Sequence, residues 1–256
     1  MITAVLVALV LAVVLLGLRE RARATRLRAR LADAQLHLQH LEGAFARFAP
    51  PQIVSRIIET GEAACGEKKE VTVLFADLAG FTRLSERVEP AVLVGIVNGY
   101  FERMNRIIAE HRGHVAALLG DGLLAFFGAL DANPWQSNDA AHAALAIRAE
   151  LGAYNHQLTE DGLPEITLGI GLHRGVGIAC VVGSRELSTF TVVGSTTNLA
   201  ARVQDLTRTH GVDILLTQPV RQALDPRFAV REVAAVAVRG IASKVTTFVL
   251  EGFRAN

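Results

Sequence analysis

Val71-Thr72-Val73-Leu74-Phe75-Ala76-Asp77-Leu78-Ala79-Gly80-Phe81-Thr82 is the stretch on which the reading of this chain turns. Val71 to Ala76 is short, apolar and β-branched, the composition of a buried strand. It ends on a carboxylate, Asp77, and a small-residue turn follows. A carboxylate at a strand end, beside backbone N–H groups freed by a turn, combines a metal ligand with a cradle for a phosphate chain.

Working outward, Pro90 to His111 has a helical period carried by Val94, Val97, Tyr100, Phe101, Met104, Ile107 and Ile108, and it stops at Gly113. Val115–Leu119 and Leu123–Phe127 are strands joined by Gly120-Asp121-Gly122, a tight hairpin signal. Asn138–Asn155 is an Ala-rich helix, and Ile166–Leu172 and Ile178–Val182 are strands. Asn198–Thr209 is helical, Ile214–Thr217 and Ala229–Val238 are strand-like, and Thr246–Leu250 is the last strand. The fold class is therefore α+β, a ferredoxin-like βαββαβ core with extensions, its helices packed on one face of a sheet. In that topology the strands ending near Asp77 and Asp121 lie side by side, so the two carboxylates converge. Taken alone, an Asp between two glycines is most often a turn residue. A convergent pair suits Mg²⁺, which takes a few protein oxygens and completes its shell with water and substrate phosphates.

The globular part begins near Glu70, and residues 70–256 are assigned to one domain. Before it, Met1–Leu18 is interrupted only by Thr3 and Gly17, and hydrophobic residues make up 51% of the whole chain. Such a helix rises roughly 27 Å, just short of the ~30 Å hydrocarbon core, and can span it with slight bilayer thinning, so 1–18 is read as a transmembrane anchor. A cleaved signal peptide fits less well, because no basic residue precedes the run. Arg19, Arg21, Arg23, Arg26, Arg28 and Arg30 follow it. By the positive-inside rule the N-terminus is expected to lie outside an inner or plasma membrane and everything after Leu18 to be cytoplasmic. Leu27, Leu31, Ala34, Leu38, Leu41, Phe45 and Phe48 form an a/d seam, so 19–49 is a basic collar and coiled coil. Residues 50–69 are a short helix after Pro50-Pro51 and a polar linker. The net charge of +1 hides a basic excess concentrated in the collar, suited to anionic lipid heads, which gives no case for nucleic-acid binding. The 2 cysteines and 8 histidines show no metal-ligand spacing.

From Val71 onward the chain resembles the class III nucleotide cyclases. The resemblance rests on Val71–Asp77 with Gly80-Phe81-Thr82, on Gly113-His114-Val115 with Gly120-Asp121-Gly122 and Ala125–Gly128, and on Gly169–Gly175. It continues through Thr191–Gly194 with Asn198–Arg202, and Val238-Arg239-Gly240. It implies that Asp77, Leu78 and Asp121 hold two Mg²⁺ or Mn²⁺ ions, and that Gly80, Phe81, Thr82 and Arg239 bind phosphates. Asn198 and Arg202 would stabilise the transition state, and Ala117 and Thr191 would face the purine. Ala117 departs from the pattern, since adenylate cyclases carry Lys there; guanylate cyclases carry Glu and Cys at the two purine positions. ATP is the favoured substrate, with a guanylate cyclase or a silent or base-unselective regulatory homologue as the alternatives. A diguanylate cyclase would need a Gly-Gly-Asp/Glu-Glu-Phe turn, which is absent. The resemblance further implies a homodimer with two composite active sites.

Overall fold

The apolar stretch at Val71 lies within a longer strand, β1 (Glu67–Ala79). It belongs to a computed structural model that describes residues 21, 31–33, 35, 66–184, 188–236 and 244–254. After β1 come α1 (Phe81–Arg87), α2 (Pro90–Glu110), β2 (Gly113–Leu119), β3 (Gly122–Phe127), α3 (Gln136–Glu160) and β4 (Thr167–Gly183). Then follow β5 (Ser188–Val193), α4 (Ser195–His210), β6 (Ile214–Thr217), α5 (Gln218–Ala223), β7 (Phe228–Val236) and β8 (Val245–Phe253). Among the described residues these strands make one 8-stranded sheet in the order β2-β3-β1-β4-β6-β8-β7, with β5 paired to β4. The β4–β6 pair is parallel and the other pairs are antiparallel. The ferredoxin-like core expected from the sequence is β1-α2-β2-β3-α3-β4.

Strand alternation sorts the sheet into two faces. Leu74, Ala76 and Leu78 of β1 and Leu168, Ile170 and Leu172 of β4 pack with Tyr100, Met104 and Ile108 of α2 and Ile147 and Leu151 of α3. Leu74, Leu78, Met104, Ile147, Ile170 and Leu172 are almost wholly buried. Each such side chain stabilises the fold by roughly 1.5–3 kcal/mol. The helices of the core therefore share one face, as the sequence indicates. Helix α4 lies on the other. A Cβ on Gly171 would overlap the Ala200 carbonyl and the Gln204 amide of α4, so bare glycine backbone is what lets this helix seat directly on β4.

Three elements are new relative to the sequence reading: α1, β5 and α5, each of seven residues or fewer and too short for a period to show. The two strands read at Ile166–Leu172 and Ile178–Val182 are one strand, β4. Its middle pairs continuously with β1, from Leu172 opposite Leu74 to Ala179 opposite Glu67. The glycines at 175 and 177, in the gap between the two strands read from the sequence, make room for Thr196 and Val192.

The chain divides into the units Met1–Val54 and Ser55–Asn256, and the description above is of the second. In the first, Arg21, residues 31–33 and Gln35 are helical and exposed. The expected localisation as a single-pass membrane protein is corrected: among the described residues no helix is long and apolar enough to cross a membrane. The apolar run 1–18, most of the collar and heptad seam, and the short helix after Pro50-Pro51 lie outside the described residues.

Candidate active site

Asp77 is brought to its position by strand register. Its neighbours across the ladders are Gly122 on β3 and Gly169 on β4, so no side chain flanks it on either adjoining strand. A Cβ on Gly122 would stand 2.9 Å from Asp77 Oδ1. The carboxylate thus occupies a niche that a single methyl group would fill. Asp121 sits in the two-residue loop between β2 and β3, where Leu119 pairs with Gly122 and Gly120 takes a φ of 68°. That left-handed turn returns the chain toward the β1 end, close enough for the Asp121 charge to act on Asp77. Burial pushes the Asp77 pKa up, the Asp121 charge pushes it further, Arg208 opposes this, and Asp205 adds to it.

Behind the niche lies Tyr100 of α2, fully buried, its hydroxyl without a hydrogen-bond partner among the described residues. Burial first, and then the Asp77 and Asp121 charges, hold this phenol well above its ordinary pKa, so it stays neutral. Beyond Asp77, the buried Leu78 side chain has no ligating atom, so its carbonyl, within 3.4 Å of Arg208 Nη2, is the one group it can offer a cation. Gly80, at φ 79°, turns the chain from β1 into α1. Gly80, Phe81 and Thr82 therefore sit immediately after the niche, at a helix start whose first N–H groups have no partner within the helix.

The chemistry of this donor set fits a hard divalent cation. Two carboxylates and a carbonyl are oxygen ligands, and glycines clear the space around them. A positive charge is also already present: Arg208 Nη2 donates to Asp77 Oδ2 at 2.7 Å and to the Leu78 carbonyl at 3.4 Å. Among the described residues no cluster of three or more His, Cys, Asp or Glu could hold a metal unaided. A donor set of this size leaves most of a cation's shell to water or a bound ligand, unlike a closed structural site.

The other sequence-derived residues fall elsewhere. Asn198 and Arg202 lie on α4, and neither side chain has a hydrogen-bond partner among the described residues. Arg208 of the same helix reaches Asp77. Arg202 is six residues earlier, about 9 Å along the axis and about 120° around it, and Asn198 is about 15 Å away. Asn198 and Arg202 are therefore set apart from the Asp77 niche within one chain. Thr191 is on β5 and Ala117 on β2, beyond a bulge that shifts the β2–β3 register after Val115. His114 and Phe190, with ring centroids 5.9 Å apart, hold these two strands against each other. Arg239 lies outside the described residues.

Arg208 and Asp205 escape the sequence reading. In sequence, Arg208 is one more polar residue in the last turn of an amphipathic helix. Only the seating of α4 on Gly169 and Gly171 carries it to the strand end.

Comparison with known proteins agrees with this geometry. The chain is 34% identical over 184 residues to an adenylate cyclase of Anabaena cylindrica, covering 69% of this chain and 36% of the relative. It thus spans about a third of the length of that protein. The fold matches the adenylyl cyclase CyaB from P. aeruginosa, with a TM-score of 0.70 at 23% identity over 75% of this chain and 98% of that one. It also matches the guanylyl cyclase Cya2, with a TM-score of 0.67 at 27% identity over 75% of this chain and 96% of the other. The profile of the adenylate and guanylate cyclase catalytic domain matches residues 64–252. With its paired aspartates at adjoining strand ends and that match across most of its length, the chain belongs to the adenylate and guanylate cyclase catalytic domain family.

Proposed function

We propose that this protein converts ATP to cyclic AMP and pyrophosphate as a homodimer with two composite active sites. The observation that carries the reading is the glycine-walled niche holding Asp77 beside Asp121. Asp77, the Leu78 carbonyl and Asp121 would hold Mg²⁺ or Mn²⁺, whose chemistry there is to acidify the ribose 3′-hydroxyl and neutralise the phosphates. In the reaction O3′ bonds to the α-phosphorus, the bond from that phosphorus to the bridging oxygen breaks, and the hydroxyl proton passes to solvent. Gly80, Phe81 and Thr82 bind the phosphate chain through backbone N–H groups, and Arg239 adds positive charge at the β and γ groups. Arg202 meets the charge developing on the α-phosphate and Asn198 orients the ribose; loss of one such donor usually costs on the order of 10²–10³ in turnover.

The dimer follows from the helix. Asn198 and Arg202 point from a different side of α4, about 9 to 15 Å along it from the residue that touches Asp77. A second copy related by a two-fold axis can supply them, and the same axis creates a second equivalent site. The heptad seam from Leu27 to Phe48 supports the same pairing, since parallel helices raise the effective concentration of the attached domains.

Thr191 and Ala117 face the purine. Ala117 offers no hydrogen bond to the base, which weakens selection between ATP and GTP by about 1–3 kcal/mol. The adenylate cyclase relative supports ATP. The alternatives are a guanylate cyclase and a silent, regulatory homologue, both of which rest on Ala117. Incubating the purified full chain with Mg²⁺ or Mn²⁺ and either nucleotide, then resolving the products, separates them. Cyclic AMP is expected. Cyclic GMP alone moves the assignment to a guanylate cyclase, and no cyclic nucleotide in any combination overturns the enzyme reading.

A further inference from the structure

The Arg208 guanidinium does not sit on just any surface carboxylate. It contacts Asp77 Oδ2 at 2.7 Å and the Leu78 carbonyl at 3.4 Å, two of the three groups assigned above to the metal. The contact is built by the fold. A Cβ on Gly169, directly opposite Asp77, would overlap Thr207 Oγ1 and stand 3.0 Å from Gln204 Nε2. The missing side chain lets the last turn of α4 close on the strand end, and the next residue after Thr207 is Arg208. The Arg208 side chain is 53% exposed and that of Asp77 is 22% exposed, so the arginine can swing out without disturbing the core.

We infer that Arg208 is the resident counter-cation of the niche, competing with the divalent metal for Asp77 and the Leu78 carbonyl. The inference rests on the metal reading given above. Two carboxylates left in a half-buried niche repel each other, and Asp205 adds a third negative charge nearby. Arg208 offsets that repulsion while no metal is present. A guanidinium on Asp77 and a divalent ion on the same oxygens exclude each other, so metal entry requires the arginine to leave. Once released, it stays tethered beside the phosphate-binding turn at Gly80–Thr82, where the triphosphate offers it a replacement anion. A group of this kind makes metal binding weak in the absence of nucleotide and stronger in its presence. Its role is positioning and charge exchange, not bond making.

The test is binding of Mn²⁺ alone to the full chain, followed by electron paramagnetic resonance, with no nucleotide and no turnover. Arg208→Gln is expected to bind Mn²⁺ roughly two- to fivefold more tightly than wild type, the scale of one displaced, partly exposed ion pair. Arg208→Lys keeps the charge and is expected to stay near wild type. Asp77→Asn is expected to abolish Mn²⁺ binding in either background, leaving the free-ion signal undiminished. Unchanged or weaker Mn²⁺ binding in Arg208→Gln, with Asp77→Asn still abolishing it, overturns the counter-cation role and leaves the metal site intact. Mn²⁺ binding indifferent to both Asp77→Asn and Asp121→Asn overturns the metal reading itself, and this inference with it.

Discussion

Gly122 stands opposite Asp77 across the β1–β3 ladder, and a methyl group on it would lie 2.9 Å from Asp77 Oδ1 and 3.1 Å from the Ala76 carbonyl. The glycine is there to keep the carboxylate free. Gly122→Ala is expected to displace the Asp77 carboxylate while the strand survives. Turnover should fall on the order of 10²-fold, as for a reacting group misplaced by about an ångström. The stability cost of the added methyl is about 1–3 kcal/mol. Steady-state kinetics with a thermal melt on the same sample checks both. A variant as active as wild type means the niche does not need that space.

Gly171 tests how α4 is held. A side chain there meets backbone atoms of Ala200 and Gln204, which cannot rotate away. Gly171→Ala is expected to destabilise Ser55–Asn256 by about 3 kcal/mol, at the upper end for overpacking. Gly252→Ala, which meets nothing within 4 Å, is the control and should be close to neutral. Denaturant titration of both variants measures the difference.

His173 is 9% exposed and shares a hydrogen bond of 2.9 Å with the Thr217 hydroxyl. Burial pushes its pKa down to about 4. The depressed value means that the unfolded chain binds a proton more readily than the native one. Stability from this group is therefore complete above pH 6.5, the ordinary histidine value, and is lost as pH falls toward 4. The loss is on the order of 3 kcal/mol across that window. His173→Gln should flatten this part of the stability–pH curve, as read from denaturant midpoints at intervals of pH.

Ala117 decides base selection in the proposed site. Ala117→Lys is expected to raise the preference for ATP over GTP by about 5- to 150-fold, the value of one added polar contact to the base. The ratio of kcat/KM for the two nucleotides measures it. No change places residue 117 away from the purine, which the register shift in β2 after Val115 would explain.

Much of this was legible in the sequence, for identifiable reasons. The convergence of Asp77 and Asp121 follows from a strand, a crossover helix and a hairpin, each with a strong local signal. The short elements were not legible, because seven residues of α1 or six of β5 carry no measurable period. The glycines of β4 mislead locally: those at 175 and 177 fall in a gap between two apparent strands, while their role is to receive neighbouring side chains. Arg208 depends on how closely α4 seats on β4, a tertiary distance that no local pattern encodes. The membrane localisation rested on the hydropathy of 1–18, and no described helix supports it.

The composite site is tested most directly by mixing two subunits, each disabled in a different half. Asp77→Asn and Arg202→Ala are each expected to be inactive as homodimers. When the two full-length variants are mixed and allowed to exchange, a heterodimer carries one doubly defective site and one intact site. With random assortment half the dimers are mixed, so activity should recover to about a quarter of the wild-type value. Cyclic nucleotide formation that stays at the level of the separate variants, with exchange confirmed by a tag on one subunit, would contradict a site shared between two chains.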